Sequence, residues 1–143
     1  MMGGGVCGAI FLAAGPDLEA ECATYGGCPT GEARITTGCN LPADYIIHAV
    51  APRWWGGEKG EPELLRSAYR AIFALTAEHE IPSVGIPAIG TGVYRFPLKQ
   101  ATRIAVEEAK VALKTQNIRV VFCCFDMATY AGYAEAIDAL GAR

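Results

Sequence analysis

The sequence lacks the features that mark several large classes of protein. No apolar run approaches the roughly 20 residues of a transmembrane helix. No basic segment followed by an apolar stretch opens the chain, as a signal peptide would require. Only two histidines occur and no cysteines show C-x-x-C spacing, so the pattern does not predict a zinc site. We therefore expect a cytoplasmic protein with no membrane contact, no metal and no cofactor.

Basic residues are too few and too scattered for a protein that binds long polyanions. The chain has 12 Lys and Arg against 15 Asp and Glu, a formal net charge of −3, and no Lys/Arg cluster. This balance argues against binding to nucleic acids or anionic membranes, so we expect no nucleic-acid partner. It does not exclude a small anionic ligand, because backbone amides can bind an anion without net positive charge.

The composition that remains is that of a globular protein. The 143 residues are 52% hydrophobic and 19% charged, which favours a single domain over residues 1–143. We interpret the six cysteines, including the adjacent Cys123 and Cys124, as buried free thiols of a reducing compartment. Acidic pairs such as Glu107-Glu108 and Glu19/Glu21 are expected to lie on solvated helix surfaces.

Hydrophobic periodicity and turn residues predict strands that alternate with helices. The predicted helices are Val6–Ala14, Asp17–Tyr25 with Asp17 as N-cap, Glu63–Glu80, Pro97–Lys114 with Pro97 in the first position, and Met127–Leu140. The predicted strands are Ala33–Thr37, Tyr45–Val50, Ser83–Ile89 and Ile118–Phe125, the second and last of them buried, with a polar loop at Pro52–Pro62. Such alternation implies an α/β fold with a mostly parallel, helix-covered sheet.

The first candidate site is the triplet Gly3-Gly4-Gly5, at the start of the first predicted helix. Glycines allow consecutive amides to turn inward around an anion, and the helix N-terminus adds a partial positive charge. A disordered tail is an equally good explanation of the triplet alone. Anion-binding glycine loops in α/β proteins normally follow a strand, and here no strand precedes the loop.

The second candidate is stronger because it follows a strand. Gly90-Thr91-Gly92-Val93-Tyr94 lies between the strand that begins at Ser83 and the helix that begins near Pro97, where α/β proteins bind ligands. It is not a dinucleotide fingerprint, since Arg95 replaces the third glycine, and it is not a P-loop. The alternative is a tight turn without a ligand.

Three further features have both a functional and a structural interpretation. Phe125 at the end of the last strand is suited to stacking on a base, or it is a core residue beside Asp126 as a helix cap. Trp54-Trp55 form a contact site or, more commonly, a lid over the core. His48 in its apolar strand is interpreted as a core histidine rather than a catalytic one.

Taken in order, several segments make the chain resemble a macrodomain, specifically the MacroD-type branch that includes bacterial O-acetyl-ADP-ribose deacetylases. These segments are GGGVCGAIFLAAG from Gly3, GCPTGEARI from Gly27, LPADYIIHAVAP from Leu41, WWGG from Trp54, PAIGTGVYRFP from Pro87 and VFCCFD from Val121. They extend over nearly the whole chain.

The resemblance implies a three-layer α/β/α fold with a mixed sheet and an ADP-ribose cleft. By position, it assigns a first loop near the diphosphate and distal ribose, a second loop that gives amides to the diphosphate, a tyrosine beside the distal ribose and a phenylalanine against the adenine. These residues are, in that order, Gly3, Gly4, Gly5 and Val6; Ile89, Gly90, Thr91, Gly92 and Val93; Tyr94; and Phe125. The implied partners are ADP-ribose, O-acetyl-ADP-ribose or a mono-ADP-ribosylated protein.

The chain departs from the family pattern in three ways. The family's opening strands, with an acidic residue at the adenine and an Asn-rich motif, are absent, so we expect Met1 to be an internal methionine or the start of a truncated form. Cys7 stands where these hydrolases usually have a catalytic Asp, and Phe11 replaces a common His. Two functions remain: a hydrolase of ADP-ribosyl esters in which Cys7 takes the catalytic position, and a reader that binds ADP-ribose without turnover. A degenerate domain whose incomplete sheet leaves an exposed edge is the third alternative.

Overall fold

The computed structural model describes residues 5–91 and 94–141, and the side chains among them from residue 9 onward. Helices and strands alternate along most of this length. The helices are α1 (Gly5–Ala14), α2 (Pro16–Ala23), α3 (Glu61–Glu78), α4 (Leu98–Ala112) and α5 (Met127–Leu140). The strands are β1 (Ala33–Thr37), β2 (Tyr45–Ala49), β3 (Ser83–Pro87) and β4 (Arg119–Cys123). Every predicted element is present, and β1 and α5 have the predicted bounds.

Several helix starts differ from prediction. The N-cap of α2 is Gly15 at φ 86°, and Pro16 takes the first turn, so the predicted cap at Asp17 is wrong. Helix α3 begins at Glu61 with another proline in its first turn, two residues before the prediction. Pro97 is the cap of α4 rather than its first residue. Proline suits the cap and the first turn of a helix because the backbone N–H groups there have no partner within the helix.

The strands form two separate hydrogen-bonded pairs. β1 pairs with β2 in antiparallel register, with Ile35 opposite Ile47. β3 pairs with β4 in parallel register, with Gly85 opposite Val121. The predicted α/β fold class is confirmed, although its sheet is divided between one antiparallel and one parallel pair.

Two hydrophobic clusters lie on opposite faces of β2, because adjacent side chains of a strand point in opposite directions. Ile47 packs against a large core, defined as the sixteen buried residues contributed mainly by α3, α4 and α5. Ile46 packs against a small core, defined as Phe11, Ala14 and Leu18 of α1 and α2. Helices therefore cover both faces of the β1–β2 pair, as a three-layer fold requires.

The outer face of the β3–β4 pair is more open than the sequence suggested. Along β4, exposed and half-buried residues alternate, so the prediction of a fully buried strand is wrong. Val121 is 40% exposed and Cys123 is also exposed. Cys28, Cys39, Cys123 and Cys124 are free thiols, as expected, but they are half-buried or exposed rather than buried. The reason is that α3, α4 and α5 pack into the same large core, on one side of this pair.

Ion pairs join α3 to α4. Glu108 is only 6% exposed and accepts from Arg66 at 3.2 Å and from Arg70 at 3.0 Å. Glu107 accepts from Arg66 at 3.1 Å and from Arg103 at 2.8 Å. The prediction that both glutamates are solvated is therefore wrong for Glu108, which is buried because two arginines neutralise it.

Each helix within residues 5–91 and 94–141 is too short or too polar to span a bilayer.

Candidate functional site

The candidate site lies at the edge where β2, β3 and β4 end. β3 and β4 are parallel, so their carboxyl ends coincide. β2 runs the same way, since the ring of Tyr45 at its start lies 5.4 Å from that of His79, just before β3. At the other end, a Cβ built on Gly90 would lie 3.8 Å from the Cβ of Ala51. Ligands of α/β proteins bind at such an edge.

Helix α1 directs its N-terminus to the same edge. The Asn40 amide, in the turn before β2, donates to the carbonyl of Ala14 at 3.1 Å, and the ring of Phe11 lies 6.2 Å from that of His48, late in β2. The helix therefore runs opposite to β2, and its first residue, Gly5, lies toward the end of that strand. Gly3 and Gly4 of the first predicted loop lie outside the described residues, and for Val6 and Cys7 the structure describes the backbone alone.

The second glycine loop is fixed by two backbone hydrogen bonds. The Phe96 amide donates to the Gly90 carbonyl at 2.8 Å, and the Trp54 amide donates to the Tyr94 carbonyl at 2.8 Å. Gly90 has φ 85°, a conformation that costs an L-residue roughly 1–2 kcal/mol. Ile89 and Thr91 flank it, while Gly92 and Val93 lie outside the described residues.

The loop after β2 packs directly on this second glycine loop. The ring of Trp54 tilts against that of Phe96 at 4.8 Å, whereas Trp55 is 62% exposed beneath the Arg53 guanidinium. A Cβ on Gly57 would lie 2.7 Å from the Trp54 ring, so only glycine fits there. The lid interpretation is thus correct for Trp54, and Trp55 remains available for contact.

Glu61, which sequence reasoning missed, holds this loop in place. Its carboxylate is 1% exposed and accepts from the amides of Trp55 and Gly57 at 2.8 Å and of Lys59 at 2.6 Å. Burial would raise the pKa of Glu61, but these amide donors outweigh it and lower the pKa to about 2. An acidic residue directly after Gly-rich sequence, at a helix start, was the available signal.

The aromatic residues assigned by resemblance differ in exposure. Phe125 is 97% exposed and Tyr94 is 37% exposed. Asp126 accepts from the Thr129 amide at 2.8 Å, which lowers the pKa of Asp126 and confirms it as the N-cap of α5. Phe125 is therefore not a core residue, and its ring is free to stack on a planar ligand.

His48 belongs to the structure beneath the site rather than to its open surface. Its Nε2 lies 3.0 Å from the Thr36 hydroxyl and 3.7 Å from the Cys22 thiol. Burial lowers the pKa of His48, and the nearby charge of Glu21 opposes that shift in part. Phe11 is 7% exposed in the small core, so it fills the interior instead of lining an open cleft.

Tyr69 places a polar atom directly below the second glycine loop. It is fully buried, and its hydroxyl makes no hydrogen bond of ordinary geometry within the described chain. Burial, together with Tyr133, raises the pKa of Tyr69, while the backbone at Ile89 opposes the rise. The neutral hydroxyl is therefore the form present at all ordinary pH values.

The edge is suited to an anion that has an aromatic base attached. The N-termini of α1 and α4 both reach it, and neither helix has an acidic residue in its first turn. Their partial positive charges are therefore available to a ligand. The described residues contain no group of three His, Cys, Asp or Glu side chains arranged to hold a metal ion.

Relatives and solved structures agree with this class of α/β anion-binding fold. The Macro domain family model matches residues 1–105. A Macro domain-containing protein of Mesorhizobium japonicum is 50% identical over 96% of this chain and 80% of its own length. A Pantoea vagans protein named O-acetyl-ADP-ribose deacetylase 2 is 42% identical over 95% of this chain and 83% of its own length.

Two solved macrodomains superpose on nearly the whole chain. That of Oceanobacillus iheyensis with ADP has a TM-score of 0.90 and 35% identity, covering 98% of this chain and 78% of its own. That of Trypanosoma brucei with ADP-ribose has a TM-score of 0.86 and 41% identity, covering 94% of this chain and 57% of its own. The chain belongs to the Macro domain family.

Proposed function

We propose that this protein binds ADP-ribose at the carboxyl edge of its strands and hydrolyses ADP-ribosyl esters there. The observation that carries the proposal is the position of the second glycine loop, which contains Gly90 and is called the Gly90 loop below. It lies at the edge where the start of α1 and the N-terminus of α4 are found, and no side chain hydrogen-bonds to the first amides of α4, so amides and helix dipoles face one place. The macrodomains solved with ADP and with ADP-ribose support the choice of ligand.

Different residues contact the diphosphate, the distal ribose and the adenine of the ligand. In this proposal the second loop, Ile89, Gly90, Thr91, Gly92 and Val93, gives amides to the diphosphate. The first loop, Gly3, Gly4, Gly5 and Val6, contacts the diphosphate and the distal ribose. Tyr94 packs beside the distal ribose, and the exposed ring of Phe125 stacks on the adenine. Glu61 contacts no ligand in this scheme, but it holds the loop on which the Gly90 loop rests.

Hydrolysis requires a water molecule placed against an ester of the distal ribose. Water adds to the ester carbonyl, the ester C–O bond breaks, and the products are ADP-ribose and the free carboxylic acid. The ligand's own diphosphate helps to orient the water, and Cys7 stands where the family usually has Asp. Because general-base catalysis contributes roughly 10²–10⁴-fold, a chain without the Asp is expected to be slow rather than inactive.

Calorimetric titration with ADP-ribose tests binding. Gly90→Ala adds one methyl group that meets only ordinary contacts, the nearest at 3.5 Å, but it strains a backbone with φ 85°, so we expect at least tenfold weaker binding. Gly141→Ala is the matched control, since Gly141 also has a positive φ, of 61°, but ends α5 at the far side of the molecule. Absence of heat with millimolar ADP-ribose, or equal weakening by both variants, would contradict the proposal.

A non-catalytic ADP-ribose reader is the second candidate, and Cys7 in place of Asp is the observation that favours it. Turnover of O-acetyl-ADP-ribose separates the two functions. We expect slow acetate release by the wild type and faster release by Cys7→Asp with unchanged affinity. If neither protein releases acetate while both bind ADP-ribose, the reader is correct.

A further inference from the structure

One face of α3 supports the candidate site at three successive turns. Glu61, Leu65 and Tyr69 follow one another at four-residue spacing, so their side chains share a face of the helix. Each of the three is at most 1% exposed. Glu61 holds the loop after β2, and Leu65 reaches the Gly90 loop, since a Cβ built on Gly90 would lie 3.8 Å from the Leu65 Cδ1. The Tyr69 hydroxyl is the polar atom of this row that the proposed function does not use.

The side chain of Tyr69 extends toward the Gly90 loop. Side chains of an α-helix lean toward its N-terminus, and Leu65, one turn closer to that end, already lies beneath Gly90. Burial raises the pKa of Tyr69, whereas the backbone at Ile89 lowers it. A backbone group lowers the pKa of a phenol only as a donor, so the Ile89 amide faces the hydroxyl oxygen.

A second buried tyrosine, Tyr133 of α5, approaches Tyr69 from another side. It is 4% exposed, and its ring stacks on that of Phe122 in β4 with the centroids 4.6 Å apart. Burial raises the pKa of Tyr133 to about 12, and Tyr69 opposes the rise as a hydrogen-bond donor does. The Ile89 amide, the Tyr69 hydroxyl and the Tyr133 hydroxyl therefore form a row in which each group can donate to the next.

The central member of this row is unsatisfied. Within residues 5–91 and 94–141, the Tyr69 hydroxyl makes no hydrogen bond of ordinary geometry. A hydroxyl can both donate and accept, and leaving it buried without either bond costs free energy. Phenylalanine would fill the same space without that cost. A hydroxyl in this position points to a second state of the loop in which its bonds form.

We propose that Tyr69 is a positioning residue for the Gly90 loop, and that its hydrogen bonds with the Ile89 amide and the Tyr133 hydroxyl form when a diphosphate binds to that loop. The inference rests on the proposed function. A diphosphate that accepts from the loop amides fixes Gly90 and Thr91, and Ile89 directly precedes them. Because the bonds of Tyr69 exist only in the liganded loop, they contribute to affinity and not to the stability of the free protein.

Tyr69→Phe tests the proposal because it removes the hydroxyl and keeps the ring. We expect calorimetry to show roughly threefold to tenfold weaker binding of ADP-ribose, the effect of about one hydrogen bond. The Tm of the free variant should be unchanged or higher, because an unsatisfied buried hydroxyl has been removed. A residue that only supports the core would instead lower Tm when it is altered.

Hydrogen exchange gives a readout at the loop itself. ADP-ribose should slow exchange of the Ile89 amide at least tenfold in the wild type, and by a smaller factor in Tyr69→Phe. Tyr133→Phe removes the far end of the row. Adding it to Tyr69→Phe should weaken binding no further, because the first substitution already removes both hydrogen bonds.

Tyr45→Phe is the matched control. Tyr45 is 42% exposed at the start of β2, the opposite end of that strand from the site, so affinity and Tm should remain those of the wild type. Three results would overturn the inference: equal affinity of wild type and Tyr69→Phe, weaker binding with a Tm lowered by several degrees, and equal protection of the Ile89 amide in both proteins. Each of them contradicts the inference while the wild type still binds ADP-ribose. Failure of the wild type to bind contradicts the proposed function, and the inference fails with it.

Discussion

The two cores on either side of β2 differ in size and in what they support. Among the side chains that the structure describes, the large core has sixteen buried residues from three helices and both strand pairs, and the Gly90 loop and the loop that contains Trp54 (the Trp54 loop) pack on it. Among the same side chains the small core has three, and α1 packs on it. Buried apolar area stabilises at roughly 25 cal/mol per Å². The two halves of the proposed site therefore pack on cores of unequal size, and we expect these cores to differ in stability.

The largest expected effect comes from making the same deletion in both cores. Leu65 and Leu18 are each 0% exposed, in the large and the small core respectively. We expect Leu65→Ala to lower the free energy of unfolding by roughly 3–5 kcal/mol, and Leu18→Ala by roughly 2–3 kcal/mol, because the small core collapses more easily around a cavity. Urea denaturation measures both values. Equal losses would remove the distinction between the cores.

The second comparison uses two carboxylates that accept hydrogen bonds from backbone amides, Glu61 on the large-core side of β2 and Glu21 on the small-core side. Glu61 accepts three amides in a buried position, whereas the exposed contacts of Glu21 are with the Thr37 amide at 2.8 Å and the Thr37 hydroxyl at 2.7 Å. Glutamine keeps the shape of the side chain, but its carboxamide NH2 group is a donor and cannot accept from the backbone amides. We expect Glu61→Gln to lower Tm by roughly 5 °C or more, and Glu21→Gln by roughly 2 °C or less.

Glu61→Gln should also weaken ADP-ribose binding severalfold, because the Trp54 loop supports the Gly90 loop. Thermal unfolding followed by circular dichroism, and calorimetry with ADP-ribose, measure the two effects. A lower Tm with unchanged affinity would show that the Trp54 loop does not position the site.

Acid should remove the stabilising contributions of His48, on the small-core side of β2, and Glu61, on the large-core side, at different pH values. The pKa of His48 is lowered by burial, so its contribution is complete above the unfolded value of 6.5 and declines as pH falls below it. The pKa of Glu61 is lowered from 4.5 to about 2, so its contribution is complete above 4.5 and is lost as pH falls toward 2.

Urea denaturation at pH 7.5, 6.0, 5.0 and 3.5 measures the free energy of unfolding as first the His48 contribution and then the Glu61 contribution is lost. We expect His48→Gln to remove the decline that begins near pH 6.5, at most about 1.4 kcal/mol per pH unit for one proton, and Glu61→Gln to remove the decline below 4.5. Identical profiles for wild type and His48→Gln between pH 7.5 and 5.0 would contradict the assignment.

The smallest expected effects concern surface ion pairs, where the two sides should not differ. Arg103 pairs with Glu107 at 2.8 Å, and Arg34 pairs with Glu32 at 3.2 Å, with partly exposed side chains in both cases. Arg103→Ala and Arg34→Ala should each cost about 0.2–1 kcal/mol. A loss above roughly 2 kcal/mol at either position, measured in urea, would mean that the pair supports more than itself.

The sequence predicts elements well where local chemistry decides them. Met127–Leu140 has its cap in Asp126 and a glycine directly after its end, and the structure uses both. The long-range features were missed. Nothing near Glu108 indicates that Arg66 and Arg70, on another helix, will bury it. The three amides around Glu61 donate to its carboxylate only once the Trp54 loop has folded around it. The division of the sheet depends on which edges meet, and periodicity carries no information about that.

The candidate site divides in the same way. A glycine loop after a strand is a local pattern, and the structure places Gly90 at the strand end with the positive φ that glycine allows. The exposure of Phe125 was open to two interpretations, because a strand-end aromatic is compatible with either a core or a surface position. The role of Cys7 stays a prediction, since it depends on chemistry with a substrate.

The distance along the chain between Gly5 and Gly90 has a consequence for how the protein assembles its candidate binding site. The two residues are 90 − 5 = 85 positions apart, yet both belong to the same edge of the strands. Closing a segment of that length costs entropy that local structure cannot recover. Affinity for the ligand should therefore emerge late during refolding, after the helices have formed. In a cell it would be absent from a nascent chain until the segment through Phe125 leaves the ribosome, so ligand capture reports that synthesis has passed that residue.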